Sequence, residues 1–363
     1  MSSNLETILP KLKAIQVKQL AMFCGVKSSG TKPELISRLS AVASARQAKP
    51  ATTDGHSPVV LSVDLGIRNL SYCLMSPASP ARPPPLLSSA DALRNPRPVH
   101  VRKWTVQKLS QDDSSEVDEP FSPASLAIAA DRLLREELLP LKPTHILIER
   151  QRWRSGGAAA IQQWTVRVNT LEAMLHASLR TRKELVRGSE EEVESVPPDR
   201  VARFWLPEMV AIQRPLIERW TGGSLRKRTL EGALGEKAAE KARHKVKGQA
   251  TSKEQKMKLL ESWLERKPGS EVVLPVNPDV EDTVQQFRQL RMDRQLSRKL
   301  GLREQSTAEK KVPKLDDLTD SLLQGITWLK WEENQASLLT EEGITMLREK
   351  NLLESLDSTL FDM

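Results

Sequence analysis

The chain has 363 residues, two cysteines and a formal net charge of +8 at pH 7. That length allows one large domain and a small module, and the excess of basic over acidic residues favours a polyanionic partner such as nucleic acid. Two cysteines argue against a disulfide scaffold, and no apolar stretch is long enough to span a bilayer, which excludes a membrane-spanning protein.

Two helices are predicted near the N-terminus. Apolar positions from Leu12 to Phe23 predict the first, which Gly25 ends. Thr31-Lys32-Pro33-Glu34 has the order of a capping box, with threonine as the N-cap and proline in the first turn, and predicts a second helix through Leu39. A helical hairpin that packs on the main domain or mediates a dimer contact would have the same pattern.

The segment VVLSVDLGIRNLSYCLM places one carboxylate at the end of an apolar strand. Its first five residues predict a buried strand, and Leu70 to Met75 predicts a returning partner strand. Asp64 ends the first strand, and Gly66 permits the turn after it. Aspartate before glycine is also ordinary turn chemistry, so this segment alone is consistent with a turn residue.

A second apolar run, His145 to Ile148, ends in Glu149. Arginines follow at once with Trp153 among them, and this arrangement is suited to holding a nucleic-acid strand beside Glu149 through phosphate contacts and base stacking. The helix predicted next, Ala158 to Leu179, has its apolar residues at three- and four-residue spacing, Ile161 and Trp164 included, and is expected to be core or dimer interface. The arginines concerned are Arg150, Arg152 and Arg154.

A third acidic cluster begins the apolar-periodic helix LTDSLLQGITWL. Residues three or four apart share a helix face, so Asp320 can point the same way as Asp317 or as Asp316, and the spacing does not choose. Gathering carboxylates from distant parts of the chain is unfavourable, by about 4 kcal/mol for a pair at 4 Å and an effective dielectric of 20. Divalent cations would remove that cost, and oxygen ligands with little histidine favour Mg²⁺ or Mn²⁺ over zinc.

Three blocks, VDLGIRNLSYCL, IERQRWRSGGAAAIQQWTVRVNTLEAML and LDDLTDSLLQGITWLKWEEN, are similar to the signature blocks of the fungal mitochondrial Holliday-junction resolvases. The resemblance spans about residues 57–335 and implies an α/β fold, an RNase H-like mixed sheet of the RuvC type flanked by helices. It implies Mg²⁺-dependent, junction-selective hydrolysis of four-way DNA by a homodimer in mitochondrial DNA recombination and segregation, with Mn²⁺ as a substitute. It also implies ligands for two metal ions per site: Asp64, Glu149, Asp320 and one of Asp316 or Asp317.

Basic residues elsewhere are candidates for contact with DNA. Lys253 resembles in position a lysine that bacterial RuvC-type enzymes place at the scissile phosphate, although a solvated lysine fits the sequence equally well. VKQLAMFCGVKSSGTKPELISRL resembles a SAP module, a helix-loop-helix DNA binder, which implies phosphate contacts from Lys18 and Lys32. The dense basic run after residue 225 suits a phosphate-tracking surface, a solvated helix face or disorder, and its candidates are Arg226, Lys227 and Arg228.

These assignments predict four parts of the chain. They are a SAP-like unit at 1–45, a flexible linker at 46–57, a nuclease domain at 58–335 with insertions at about 76–98, 186–195 and 222–314, and a C-terminal helical tail at 336–363.

Three alternatives use the same features. A nuclease for RNA or RNA–DNA hybrids needs the same carboxylates, and a junction-binding architectural protein needs only the binding surfaces. An actin-like kinase also begins with a strand and DLG turn, but a second glycine-rich phosphate loop is missing. The N-terminus has an early acidic residue and little arginine, unlike a transit peptide, so the expected mitochondrial location rests on the resemblance and nuclear or cytosolic residence stays open.

Overall fold

The computed structural model describes residues 3–48, 57–67, 69–78, 98–109, 121–151, 161–186, 191–220, 253–265, 274, 276–299 and 315–349. Within these residues one five-stranded mixed sheet has the order β3-β2-β1-β4-β5. β1 pairs antiparallel with β2, and β2 pairs antiparallel with β3. β4 is parallel to both β1 and β5. The strands are β1 Val60–Asp64, β2 Leu70–Pro77, β3 Val99–Gln107, β4 His145–Glu149 and β5 Glu192–Val196.

Helices cover both faces of the sheet. The described helices are α1 Ser3–Ile8, α2 Ala14–Phe23, α3 Lys32–Ala48, α4 Pro123–Arg132, α5 Gln163–Leu185, α6 Pro198–Trp220, α7 Lys253–Leu264, α8 Pro278–Lys299, α9 Leu315–Leu338 and α10 Glu341–Glu349. This arrangement confirms the predicted α/β class, with a mixed sheet between helices and further helices at the N-terminus. No helix in the described ranges is long and apolar enough to cross a membrane.

Alternation along the strands divides the core into two layers. Leu61 and Val63 of β1 face a cluster that α4 and α5 complete. Val60 faces the opposite cluster, which contains α9 and most of the remaining helices. Successive strand side chains point to opposite faces, so a five-residue strand contributes side chains to both layers. Its last side chain lies where the strand ends, at the sheet edge.

Helix α9 lies close against the strands. The Trp104 indole donates to the Leu318 carbonyl oxygen at 2.9 Å, and the hydroxyls of Ser71 and Ser321 are 2.7 Å apart in the buried interface. Gly325 faces the Met75 side chain so closely that a Cβ there would collide with it. Small residues on both sides therefore let the first half of the helix lie directly on β1 and β2.

The N-terminal helices pack on α9 as well. Asn334 donates to the Phe23 carbonyl and Gln335 to the Cys24 carbonyl, each at 2.9 Å. The Arg46 guanidinium pairs with Glu332 at 2.8 Å. Apolar residues of α2 and α3 belong to the same buried cluster as α9. The alternative of a hairpin that packs on the main domain describes these contacts, while DNA binding by the unit stays a prediction.

The glutamate half of the predicted capping box forms at the start of α3, and the helix is longer than expected. Glu34 accepts a hydrogen bond from the Thr31 backbone N–H at 2.7 Å. The helix continues past Leu39 to Ala48, three residues into the segment assigned to the linker. Its buried stripe of Leu35, Leu39 and Ala43 continues at four-residue spacing, and this packing extends the helix.

Three further expectations need correction. The predicted insertion at 186–195 contains most of β5, because Glu192–Val196 forms a parallel ladder with β4. Within the predicted insertion at 222–314, α7 and α8 contribute buried residues to the α9 cluster. Helix α5 begins only at Gln163, because Gln162 is extended. Trp164 is 55% exposed and Ile161 42%, so both lie outside the core, and their place in a dimer interface stays a prediction.

Candidate active site

Three carboxylates meet at one edge of the sheet. The parallel register pairs Val63 of β1 with Ile148 of β4, so the next residues, Asp64 and Glu149, lie side by side where both strands end. Asp320 reaches the same edge from the second turn of α9, which packs across β1 and β2. One carboxylate oxygen from each residue lies within 4.8 Å of the other two.

The electrostatics of the cluster are unfavourable in the protein alone. Burial raises the pKa of Asp64 well above its ordinary value, and the carboxylates of Glu149, Asp320 and Asp317 raise it further, while the Lys256 ammonium group opposes the rise. A carboxyl group with that environment binds its proton unusually tightly because its charged form is repelled and poorly solvated. A cation among these oxygens would relieve both effects.

The two adjacent aspartates at the start of α9, Asp316 and Asp317, have different surroundings. Asp316 forms an ion pair with Lys253. Asp317 lies three residues before Asp320, on the same side of the helix. It is close enough to Asp64 to raise the pKa of Asp64. This electrostatic influence favours Asp317 over Asp316 as the fourth carboxylate, although only Asp64, Glu149 and Asp320 have oxygens within 4.8 Å of one another. The role of Asp317 as a ligand stays a prediction.

A lysine that the sequence did not single out lies in the site. The Lys256 ammonium group donates to Asp320 at 2.7 Å, and its side chain is only 15% exposed. Lys253, the sequence candidate, is one turn earlier on α7 and 72% exposed where it meets Asp316. The spacing in SKEQKMKLL places both lysines on one helix face, so the sequence contained the signal and the choice between them needed the structure.

The segment after Glu149 is held by a second residue that the sequence did not identify. Glu172 of α5 accepts a hydrogen bond from the Gln151 backbone N–H at 3.0 Å. The Arg150 backbone N–H donates to the Val196 carbonyl of β5 at 2.9 Å, and the Arg150 side chain is exposed. The chain therefore leaves the active-site edge along a fixed path with the Arg150 guanidinium group facing solvent.

The remaining predicted DNA contacts divide into two groups. In the N-terminal unit, Lys18 is partly buried, and Lys32 donates to the Pro10 carbonyl at 2.7 Å. Neither position tests a DNA contact. The other candidates lie outside the described residues: Arg152, Arg154, Arg226, Lys227 and Arg228.

The donor set fits a hard divalent cation. All three side chains of the group offer carboxylate oxygens, and neither histidine nor cysteine belongs to it. Each carboxylate is partly buried, so water can still reach the cluster. Carboxylate oxygens with access to water are the environment that Mg²⁺ prefers, because Mg²⁺ keeps part of its hydration shell.

Comparisons with known proteins agree with this architecture. The family model "Mitochondrial resolvase Ydc2 / RNA splicing MRS1" matches residues 60–338. Cruciform cutting endonuclease 1, mitochondrial, of Schizosaccharomyces pombe is 31% identical over 168 residues, which cover 44% of this chain and 53% of that protein. The matched region thus spans about half the length of that curated relative.

The crystal structure of the yeast mitochondrial Holliday junction resolvase Ydc2 aligns with a TM-score of 0.52 and 21% identity, covering 93% of this chain and 99% of that one. This likeness confirms the predicted RNase H-like fold. The family match extends from β1 to the last residue of α9 and includes all three clustered carboxylates. The chain therefore belongs to the mitochondrial resolvase Ydc2 / RNA splicing MRS1 family.

Proposed function

We propose that this protein is a metal-dependent endonuclease that resolves four-way DNA junctions. The observation that carries the proposal is the convergence of Asp64, Glu149 and Asp320 at the end of two parallel strands. The family match and the printed name of the Schizosaccharomyces pombe relative, a cruciform cutting endonuclease, support a junction as substrate.

Four carboxylates would hold the metal ions, Mg²⁺ or Mn²⁺, two per site: Asp64, Glu149, Asp317 and Asp320. Bound there, a pair of divalent ions supplies an activated water and stabilises the charge on the attacked phosphate and the leaving oxygen. The carboxylates provide fixed ligand geometry. Lys256 would orient Asp320 and bring positive charge to the phosphate, a role for which Lys253 was the candidate by resemblance.

A cationic surface beside the site would hold the DNA. Burial lowers the pKa of Arg200, and the guanidinium group of Arg150 lowers it further, with a smaller contribution in the same direction from Arg38 of α3. Positive side chains from the residue after β4, from α6 and from α3 thus influence one another, with the Asp199 carboxylate group opposing the shift at Arg200. Phosphate contacts with these side chains would lead a DNA strand towards Glu149, in keeping with the net charge of +8.

We further propose a homodimer with one site per subunit and a mitochondrial location. A four-way junction has two strands to cut, and a two-fold dimer presents two equivalent sites to it. The location is supported by the names of the relatives, which are called mitochondrial.

A second candidate follows from the family description, which also names RNA splicing. A protein of this family that binds structured RNA, or cuts RNA or RNA–DNA hybrids, would use the same sheet and basic surface. A junction-binding architectural protein that does not cut would also fit the surface. The convergence of three carboxylates at one edge of the sheet favours turnover over a purely architectural role.

The test is a cleavage assay in Mg²⁺ on a synthetic four-way DNA junction, with matched duplex, RNA–DNA hybrid, structured RNA and single-stranded DNA alongside. We expect paired cuts in the junction and none in the duplex. Asp64→Asn should bind the junction without cutting it. Preferential cutting of RNA or hybrid would support the second candidate, and tight junction binding by wild-type protein without any cleavage would support the architectural role.

A further inference from the structure

Gln324 is a buried side chain of α9 that contacts both carboxylate-bearing strands. It is 2% exposed. Its side-chain nitrogen lies 3.0 Å from the Ser62 hydroxyl, 3.4 Å from the Val63 carbonyl oxygen and 3.3 Å from the Leu147 carbonyl oxygen. The shortest contact is to Ser62 of β1. Of the two longer contacts, one is to Val63 of β1 and the other is to Leu147 of β4.

The chemistry of these neighbours fixes which end of the carboxamide faces the strands. Two of them are carbonyl oxygens, which only accept hydrogen bonds, so the NH₂ group must point at them. The Gln324 oxygen is buried and has no hydrogen-bond partner in the described part of the chain. Burying an unpaired acceptor is unfavourable, so this position tolerates an unsatisfied atom in return for the contacts of the NH₂ group.

The contacts lie directly behind the carboxylate cluster. Gln324 is four residues after Asp320, which places both side chains on one face of α9. Ser62 is two residues before Asp64 on β1, and Leu147 is two residues before Glu149 on β4. A strand rises about 3.3 Å per residue, so Ser62 and Leu147 lie about 7 Å along their strands from Asp64 and Glu149, and the Val63 carbonyl group directly precedes Asp64.

We propose that Gln324 is a positioning residue that sets the spacing of the three carboxylates and thereby the affinity of the site for its metal ions. The proposal rests on the proposed function, because it takes the carboxylates as ligands. The residue joins one helix to two strands at a single nitrogen, so it limits sliding of α9 along the sheet. Residues that hydrogen-bond a metal ligand directly contribute about ten- to a hundredfold to metal affinity. Gln324 contacts the ligand-bearing strands instead, so its effect is expected at the lower end of that range.

Other contacts keep α9 packed against the sheet without Gln324, but the three named next involve β2 and β3 and not β4. The Trp104 indole, the Ser71–Ser321 hydroxyl pair and the close approach of Gly325 to Met75 all hold the same half of α9. Gln324→Met keeps the length and volume of the side chain and removes its donor. The variant should therefore fold while α9 loses its link to the strand ends.

The helix offers a matched control. Asn334 is also a buried carboxamide on α9, and its nitrogen donates to the Phe23 carbonyl at 2.9 Å. It lies fourteen residues after Asp320, which is about 21 Å along the axis. Asn334→Leu removes a buried carboxamide donor from the same helix, far from the carboxylates.

The experiment measures Mn²⁺ binding to the metal-free full-length protein, without DNA, by the loss of the free-ion signal in electron paramagnetic resonance. Thermal unfolding of each variant is recorded in EDTA. We expect Gln324→Met to weaken Mn²⁺ binding about tenfold, with Asn334→Leu binding as wild type does at a similar loss of thermal stability. Ser62→Ala, which removes the nearest acceptor, should weaken Mn²⁺ binding in the same direction and provides the test if Gln324→Met does not fold.

Wild-type Mn²⁺ affinity in both Gln324→Met and Ser62→Ala would overturn the proposal, as would equal losses in Gln324→Met and Asn334→Leu. Asp64→Asn is measured in parallel. If Asp64→Asn keeps wild-type Mn²⁺ binding, the proposed metal site itself is wrong. If Asp64→Asn loses binding while Gln324→Met retains it, the site stands and only the positioning role fails.

Discussion

Replacing Asp64 by asparagine should stabilise the metal-free protein and abolish its response to Mg²⁺. An oxygen of Asp64 lies within 4.8 Å of oxygens of Glu149 and Asp320, and two like charges at that distance repel by about 3.5 kcal/mol at an effective dielectric of 20. Lys256 and solvent around the partly exposed groups offset much of this repulsion. We therefore expect Asp64→Asn to raise the free energy of unfolding in EDTA by about 1 kcal/mol.

The gain should depend on pH with a definite sign. Burial, followed by the neighbouring carboxylates, raises the pKa of Asp64, so the folded wild type holds this proton more tightly than the unfolded chain does. Its stability then falls as the pH rises above the unfolded aspartate pKa of about 3.9. Asp64→Asn lacks this loss, and its advantage over wild type should be greater at high pH than at low pH.

The response to metal gives the second half of the test. Mg²⁺ that binds only the folded state at a hundred times its dissociation constant stabilises by about 2.7 kcal/mol. Urea unfolding followed by tryptophan fluorescence, in EDTA and in Mg²⁺, should show that increment for wild type and for Asp316→Asn, whose aspartate pairs with Lys253. Equal stabilisation of Asp64→Asn by Mg²⁺, or a marked loss of its stability in EDTA, would refute this reasoning.

Three further predictions concern neighbouring groups. Asp317→Asn should abolish junction cleavage and Asp316→Asn should keep it, in single-turnover assays on folded variants; the opposite result would assign the ligand to Asp316. Lys256→Met should slow single-turnover cleavage on the order of a hundredfold, with Lys253→Met nearer to wild type, and the reverse order would restore Lys253 to the site. Deleting residues 1–45 should abolish cooperative unfolding, because each large apolar side chain lost from the core costs about 2–5 kcal/mol; a two-state melt with wild-type midpoint would show that the unit is separable.

The strands that carry the site could be predicted because their pattern is local. Apolar runs that end in Asp64 and in Glu149 are visible in the sequence. The periodic apolar residues of α9 predict a helix that begins at its acidic residues. Their meeting depends on parallel pairing of β1 with β4, in which Val63 lies opposite Ile148. That register joins segments about 85 residues apart, and the resemblance to known resolvases supplied it where the pattern could not.

Residues that act through contacts between distant elements were not predictable from pattern. Gln324 is one of several buried polar residues of α9, and its contacts are with residues more than 170 positions away. Lys256 differs from Lys253 only by one helical turn. Most of β5 falls in the predicted insertion at 186–195, because Glu192 and Glu194 interrupt its apolar residues, yet an edge strand needs only one buried face.

The N-terminal unit is where local and tertiary information diverge most. Its capping box and helix lengths are typical of an independent module, and nothing in that local pattern reports what its apolar residues pack against. In the folded protein they complete the cluster around the second half of α9, where Gly25 has a φ of +67° and a Cβ would lie 2.5 Å from the Trp331 ring. The same helix begins with Asp317 and Asp320 at the sheet edge. Lys18 and Lys32, the predicted DNA contacts of this unit, therefore have a fixed position relative to the helix that carries the candidate ligands, and DNA held by them would be held at a set distance from the site.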